Sequence, residues 1–476
     1  MRISRRSLVA AGALLLSPTA ARCAPAQGSV IFPVELFTDL PQTRVPAGVP
    51  GVRTTGHHRR GPGAAFYRRV ESGPATPWRA RSADGQWFEL DEPEILAGHL
   101  GAVGYPVASA VRAGQDYRPS EATGDAAEEH VELQTWLEAA AALGRPARLD
   151  PGRAFRVGAG LKAPAGSVIL GDGSALATTA AIDVLGLGDR CTVRGLLIVG
   201  AGSAFRAGGR GVICWGREGR PGSDPIRLAG PVLEDIQIRG VGREAVSCRY
   251  TTGGLLARCH IHGVGYIGSE ALSADDLWLE DCLIETLGGE DESGEENAYG
   301  ATWTRNTHIA DLKAAPPSRG GGAKRCVIRD IPTWHGLDAH GADGVHWAGN
   351  RIENCRRAAV LTHGAHCSSR NCRVEGVRAV NRFPLSDRNR NGTEKRELAF
   401  ADIGLSRRNP ARGNVWLDNE CVGYGARNIN MPAILLSNTV DVTWRNNREI
   451  DSVRPGIRVE ESVIMQDSDI AAVSTG

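Results

Sequence analysis

The stretch TWHGLDAHGADG, Thr333 to Gly344, concentrates side chains that can move protons. On a strand, Asp338 and His340 lie two residues apart and project to one face, while Leu337 and Ala339 turn to the core. An outward, accessible carboxylate–imidazole pair is expected. The later segment AVLTHG carries His363, 23 residues beyond His340, so matching the two His-Gly pairs stacks their imidazoles on neighbouring rungs. Upstream, YGATWTRN sets Thr302 and Thr304 against Asp338 and His340 and leaves Arg305 beside them. His335, Asp343 and His366 fall nearby. This mixture suits removal of a proton next to a carboxylate, as in elimination at a uronic acid. Arg305 would neutralise the sugar carboxylate, His340 would take the proton, and Asp338 would orient His340 or raise its basicity. Hydrolysis is the alternative. It needs two carboxyls about 5–10 Å apart, which Asp338 could form with Asp343 or with an acid of the 290–296 loop. His335, His340, His363 and Asp338 are also chemically suited to zinc, although the pattern requires no metal.

Other groups extend this patch. Trp303, Trp334 and Trp347 are candidates for stacking on sugar rings, and each is equally suited to core packing. Arg356 and Arg357 open a basic stretch that continues through Arg370, Arg373, Arg378, Arg382, Arg388, Arg390, Lys395, Arg396, Arg407, Arg408 and Arg412. Several on one face would bind uronate carboxylates. The loop GGEDESGEENAYG, Gly288 to Gly300, carries five acids, and Ca2+ is the one cofactor with a candidate site there. Only four of 55 basic residues are lysine, so few lysines are at hand for catalysis.

The elements that would position these groups follow from a repeat. Segments DIQI, RCHI, DCLI, RCVI, GNRI and NCRV have second residues at Ile236, Cys259, Cys282, Cys326, Asn350 and Cys372. The intervals are 23, 23, 44, 24 and 22, and 44 reads as two periods. Such a period signals a solenoid. Each unit holds short alternating strands and glycine-containing turns, with little helical periodicity. The fold expected is all-β: a right-handed parallel β-helix of about 12 coils over residues 161–455, with the cysteines stacked inside as small apolar fillers. The corners are expected at Gly240, Gly263, Gly288, Gly336, Gly364 and Gly376. Residues 126–143 place Leu133, Trp136, Leu137 and Ala140 on one helical face before Gly144, which predicts a cap helix within 101–160. Residues 27–100 read as a small N-terminal arm and 456–476 as a C-terminal tail.

Composition excludes several classes. Glycine makes up 60 of 476 residues, well above the usual roughly 7%, without a three-residue period. Hydrophobic residues at 42% argue against general disorder. The net charge of +1 gives no footprint for nucleic acid. Residues 1–26 read as a signal peptide, and SRRSLV within it resembles the twin-arginine export signal. A periplasmic or secreted protein without a membrane span is expected, with its ten remaining cysteines kept as thiols.

Further motifs carry a family resemblance. GAVG (Gly101 to Gly104), the Ala-rich helix, ARLDPGRAFRV (Ala147 to Val157) and SVILGDG (Ser167 to Gly173) follow one another as in the pectate-lyase-like β-helix superfamily. The preceding arm, from Thr54 to Leu90, resembles that of phage tailspikes. The likeness spans about residues 45–450 and lacks the superfamily's acidic D-G-x-x-D-D-T before the helix. It implies a polysaccharide partner, commonly acidic, met by a lyase, hydrolase, epimerase or non-catalytic glycan binder, as a monomer or homotrimer. HGLDAH also resembles the Y-G-F-D-P-H-[DE] motif of mannuronan epimerases. Gly336, Asp338 and His340 match it, while Ala339 and Gly341 depart from it.

Overall fold

The structure is a computed structural model. It describes residues 31–61, 63–107, 128–204, 208–288, 297–375, 398–424, 433–452, 455–468 and 473–475. The putting together of the repeat is visible in its strand register. Three ladders of parallel strands run the length of the body, each strand pairing with the equivalent strand one coil on. The third ladder holds the candidate chemistry. It passes through Glu244–Arg249, Ile267–Leu272, Tyr299–Thr304, the second halves of Val327–His340 and Arg351–Thr362, and Leu398–Ile403. From Leu161–Ala163 to Val473–Thr475 it counts twelve strands among the described residues. Its last two, Ile457–Ser468 and Val473–Thr475, lie in the stretch read as a tail.

One interval in the repeat has a different meaning from the one expected. Leu283 pairs directly with Val327, and Trp278 with Gly322, so the 44-residue interval is a single coil. The extra chain forms insertions on either side of Tyr299–Thr304. Residues 289–296, which carry the acidic loop and with it the calcium expectation, lie outside the described residues. So do 376–397, with Arg378 to Arg396, and residues 1–26, read as a signal peptide.

The corners also differ. Asp235, Arg258, Asp281, Arg325, Gly349 and Asn371 begin the repeated motifs, and all have φ between 52° and 64°. This left-handed residue turns the chain from the first ladder into the second. Short polar side chains tolerate it by bonding locally. Arg258 and Arg325 instead reach one coil back, each placing Nε 2.7 Å from a carboxylate oxygen of Asp235 or Asp281. Gly240 and Gly263 do occupy left-handed corners, whereas Gly288, Gly336 and Gly364 do not. Gly336 is needed for closeness instead: a Cβ there would stand 2.7 Å from the Ala358 carbonyl and from Ile352.

Behind the corner, Cys259, Cys282, Cys326 and Cys372 share an interior column. All ten described cysteines are buried, and none of them forms a disulfide. Asn350 interrupts the column and answers two backbone groups, accepting from the Cys326 N–H and donating to the Ala323 carbonyl, both at 2.9 Å. The helix His130–Leu143 buries Leu133, Trp136 and Leu137, and Trp136 Nε1 donates to the Ile95 carbonyl at 2.7 Å. Ahead of it, five short strands between Phe32 and Leu90 form a separate small sheet. No helix among the described residues is long and apolar enough to cross a membrane. Replacing Asn350 by Ala strands both backbone partners, so we expect a loss of about 1–3 kcal/mol, measurable as a lower denaturation midpoint at unchanged slope.

Candidate active site

Register brings the predicted residues together with one displacement. Thr302 pairs with Asp338 and Thr304 with His340, as expected. His340 in turn pairs with Thr362, which sets His363 one residue further on, at the corner opposite Gly341. His363 takes a left-handed φ of 53° there. Gly341 has no side chain, and Arg305 flanks it from the preceding coil. The His363 ring meets His340 edge-on, with centroids 5.4 Å apart. Gly341 thus leaves a side-chain place empty between Arg305 and His363 and next to His340, a notch in the column, and all three neighbours are half-buried. Arg305 holds its own loop by donating to the Ile309 carbonyl at 3.0 Å.

Asp338 does project outward, yet it is not accessible: its exposure is 1%. Its partner is His335, where the sequence suggested His340. The Asp338 carboxylate accepts from His335 Nδ1 and from the Thr302 hydroxyl, each at 2.9 Å. Burial opposes ionisation of Asp338, but these bonds and the neighbouring imidazoles outweigh it and hold the carboxyl below its usual value. Burial pushes His335 down to about 4, so its ring is neutral at neutral pH, with the proton on Nδ1. Its Nε2 is buried without a hydrogen-bond partner. Trp334 stacks on His335 at 4.7 Å, and the Arg357 guanidinium lies 4.1 Å over the Trp334 ring.

Other predicted binders sit differently. Trp303 and Trp347 are interior, each 1% exposed, and Trp303 Nε1 donates to the Leu277 carbonyl at 3.2 Å. Trp334, Arg356 and Arg357 are buried, so none offers an open platform. Asp343 and His366 bond to each other at 3.0 Å on an adjacent corner, separate from the Asp338 carboxylate. The zinc arrangement of His335, His340, His363 and Asp338 does not converge on a point. Among the described residues, only His260, His262 and Glu285 do.

Two features escaped the sequence reading. Tyr299 pairs with His335, and its ring meets that imidazole edge-on at 5.2 Å. Burial and the Asp338 charge raise its phenol far above the ordinary value, so it stays protonated. The signal was there: Tyr-Gly and His-Gly hold the same phase. The second feature lies two and three coils back on the same outer face. Glu244 and Glu270 are both buried, and Arg249 reaches each of them, at 3.3 and 2.8 Å. Ser247 donates to Glu270 at 2.6 Å and accepts from Trp215 Nε1 at 2.9 Å.

No protein-family model and no curated protein matches the sequence. Solved structures match its fold. The tailspike protein gp49 of Acinetobacter baumannii bacteriophage Fri1, a capsular polysaccharide depolymerase, is 12% identical with a TM-score of 0.58, covering 92% of this chain and 76% of that one. The chain folds as a right-handed parallel β-helix. The enzymatically active domain of bacteriophage CBA120 tailspike protein 2 shares this β-helix at 10% identity and a TM-score of 0.53. That match covers 90% of this chain and spans 57% of the tailspike domain. The A-module of the Azotobacter vinelandii mannuronan C-5 epimerase AlgE4 is 13% identical, with a TM-score of 0.47 and coverages of 80% and 99%.

The β-helix keeps His335 and His363 neutral at a cost in acid. Burial, then the charges of His340 and Arg305, lower His363 to about 4 from an ordinary 6.5, as burial does for His335. The unfolded chain therefore binds more protons than the folded one between about pH 6.5 and pH 4, and stability falls on acidification through that window. Asp402, pushed up to about 6 by burial, acts in the opposite sense. We expect the melting temperature to drop from about pH 6.5 to pH 4, and the drop to shrink in a His335→Gln/His363→Gln double variant.

Proposed function

We propose that the protein is an exported enzyme that cleaves an acidic, uronate-containing polysaccharide by β-elimination. The observation that carries this reading is the notch, with Arg305, His340 and His363 around Gly341 beside an ionised Asp338. A uronate carboxylate against Arg305 is neutralised, which acidifies the adjacent C5 proton. His340 takes that proton. The electrons left behind form the C4–C5 double bond as the C4–O bond breaks, and the imidazolium supplies the proton that the departing oxygen needs. Asp338 lies two residues away on the same face, where it sets a carboxylate beside the site. His335 and Thr302 are positioning residues that hold this carboxylate ionised. The Fri1 tailspike, a capsular polysaccharide depolymerase on the same fold, supports a polysaccharide as the substrate. Export follows from the reading of residues 1–26.

Hydrolysis is the second reading, favoured by the paired carboxylates Glu244 and Glu270. The two reactions leave different products. Assay against a panel of uronate-bearing polymers should show the ultraviolet band of an unsaturated uronate rising with the reducing ends. His340→Ala should lower kcat by about 10²–10⁴, and Arg305→Ala by about 10²–10³. Reducing ends without that band, abolished by Glu270→Gln and untouched by His340→Ala, would replace elimination with hydrolysis.

A further inference from the structure

The second ladder carries another cluster, on a different face from the notch. Strands His260–Val264 and Leu283–Leu287 are adjacent coils in register, His260 opposite Leu283 and His262 opposite Glu285. His260 and His262 are two apart and share the outer face. One oxygen of Glu285, Oε1, collects both rings: His260 Nε2 lies 2.7 Å away and His262 Nδ1 3.6 Å away. The other oxygen, Oε2, is occupied by Arg329 from the next coil, whose Nε stands 2.7 Å away. Arg239, on the preceding coil, donates to Gln237 at 3.1 Å.

We infer that His260, His262 and Glu285 bind one divalent transition-metal ion of the zinc class. The three donor atoms lie within 4.8 Å of one another, so a small outward shift of the rings admits an ion between them. Two imidazole nitrogens and one carboxylate oxygen suit zinc, cobalt or nickel, and are a poor set for calcium or magnesium, which favour oxygen. Three protein ligands leave a fourth tetrahedral position for water. Arg329 supplies the outer partner that fixes a ligating carboxylate. The ion would tie two successive coils, and the second of these strands leads into the chain that reaches Tyr299.

The test is titration of the chelator-treated full chain with Co2+, followed by its visible absorption, and with Zn2+ by calorimetry. One equivalent should bind with tetrahedral cobalt bands, and Zn2+ should raise the melting temperature while Ca2+ leaves it unchanged. Binding should vanish in His260→Ala/His262→Ala, persist in His340→Ala/His363→Ala, and weaken about 10–100-fold in Arg329→Gln. Glu285→Gln, which keeps the side chain's shape, should lose binding while remaining folded by circular dichroism. No saturable binding to the wild-type chain, or binding unchanged in Glu285→Gln, would overturn the inference.

Discussion

Hydrogen bonding between coils is the constraint on which the described body of this molecule depends. Parallel pairing sets equivalent residues about 4.8 Å apart along the axis, so a side chain's neighbours are decided by its phase in the repeat. The inner phases pack cysteines, leucines and tryptophans into one continuous core. The outer phases stack whatever the sequence offers, and polar groups there become buried when several coils contribute them to the same column. Asp338 is the consequence that matters for chemistry. It is a surface residue by phase and a buried one by neighbourhood, and its ionised state depends on His335 and Thr302 from its own coil and the preceding one.

That arrangement separates two tasks. The buried layer of Thr302, His335 and Asp338 fixes a charge. The half-buried layer of Arg305, His340 and His363 is the one the proposed substrate would meet. Gly341 lies between Arg305 and His363, and a Cβ there would stand 3.9 Å from the Arg305 side chain. Its left-handed φ of 66° also turns the chain out of the strand.

Much of this was legible in the sequence, because phase is a linear property. The period, the interior cysteine column, and the matching of Thr302 and Thr304 with Asp338 and His340 all follow from counting residues. Counting fails where the chain inserts residues. A 44-residue interval is numerically two coils, and only the pairing of Leu283 with Val327 shows it to be one. It fails again by one step at His363, because His-Gly motifs on two coils need not share a phase when one residue turns the corner. Burial is the third gap. Alternation tells which way Asp338 and Trp334 point and says nothing of what the adjoining coils lay over them. The Glu244–Arg249–Glu270 group stayed hidden for the same reason, its members being spread over 27 residues without a motif.

The central claim is that the notch around Gly341 receives a uronate. Its most direct measurement is a crystal structure of the His340→Ala variant soaked with a uronate oligosaccharide. The account predicts a sugar carboxylate paired with Arg305, and C5 facing the space vacated by His340. An oligosaccharide bound over Glu244 and Glu270, with the notch left to solvent, would contradict it.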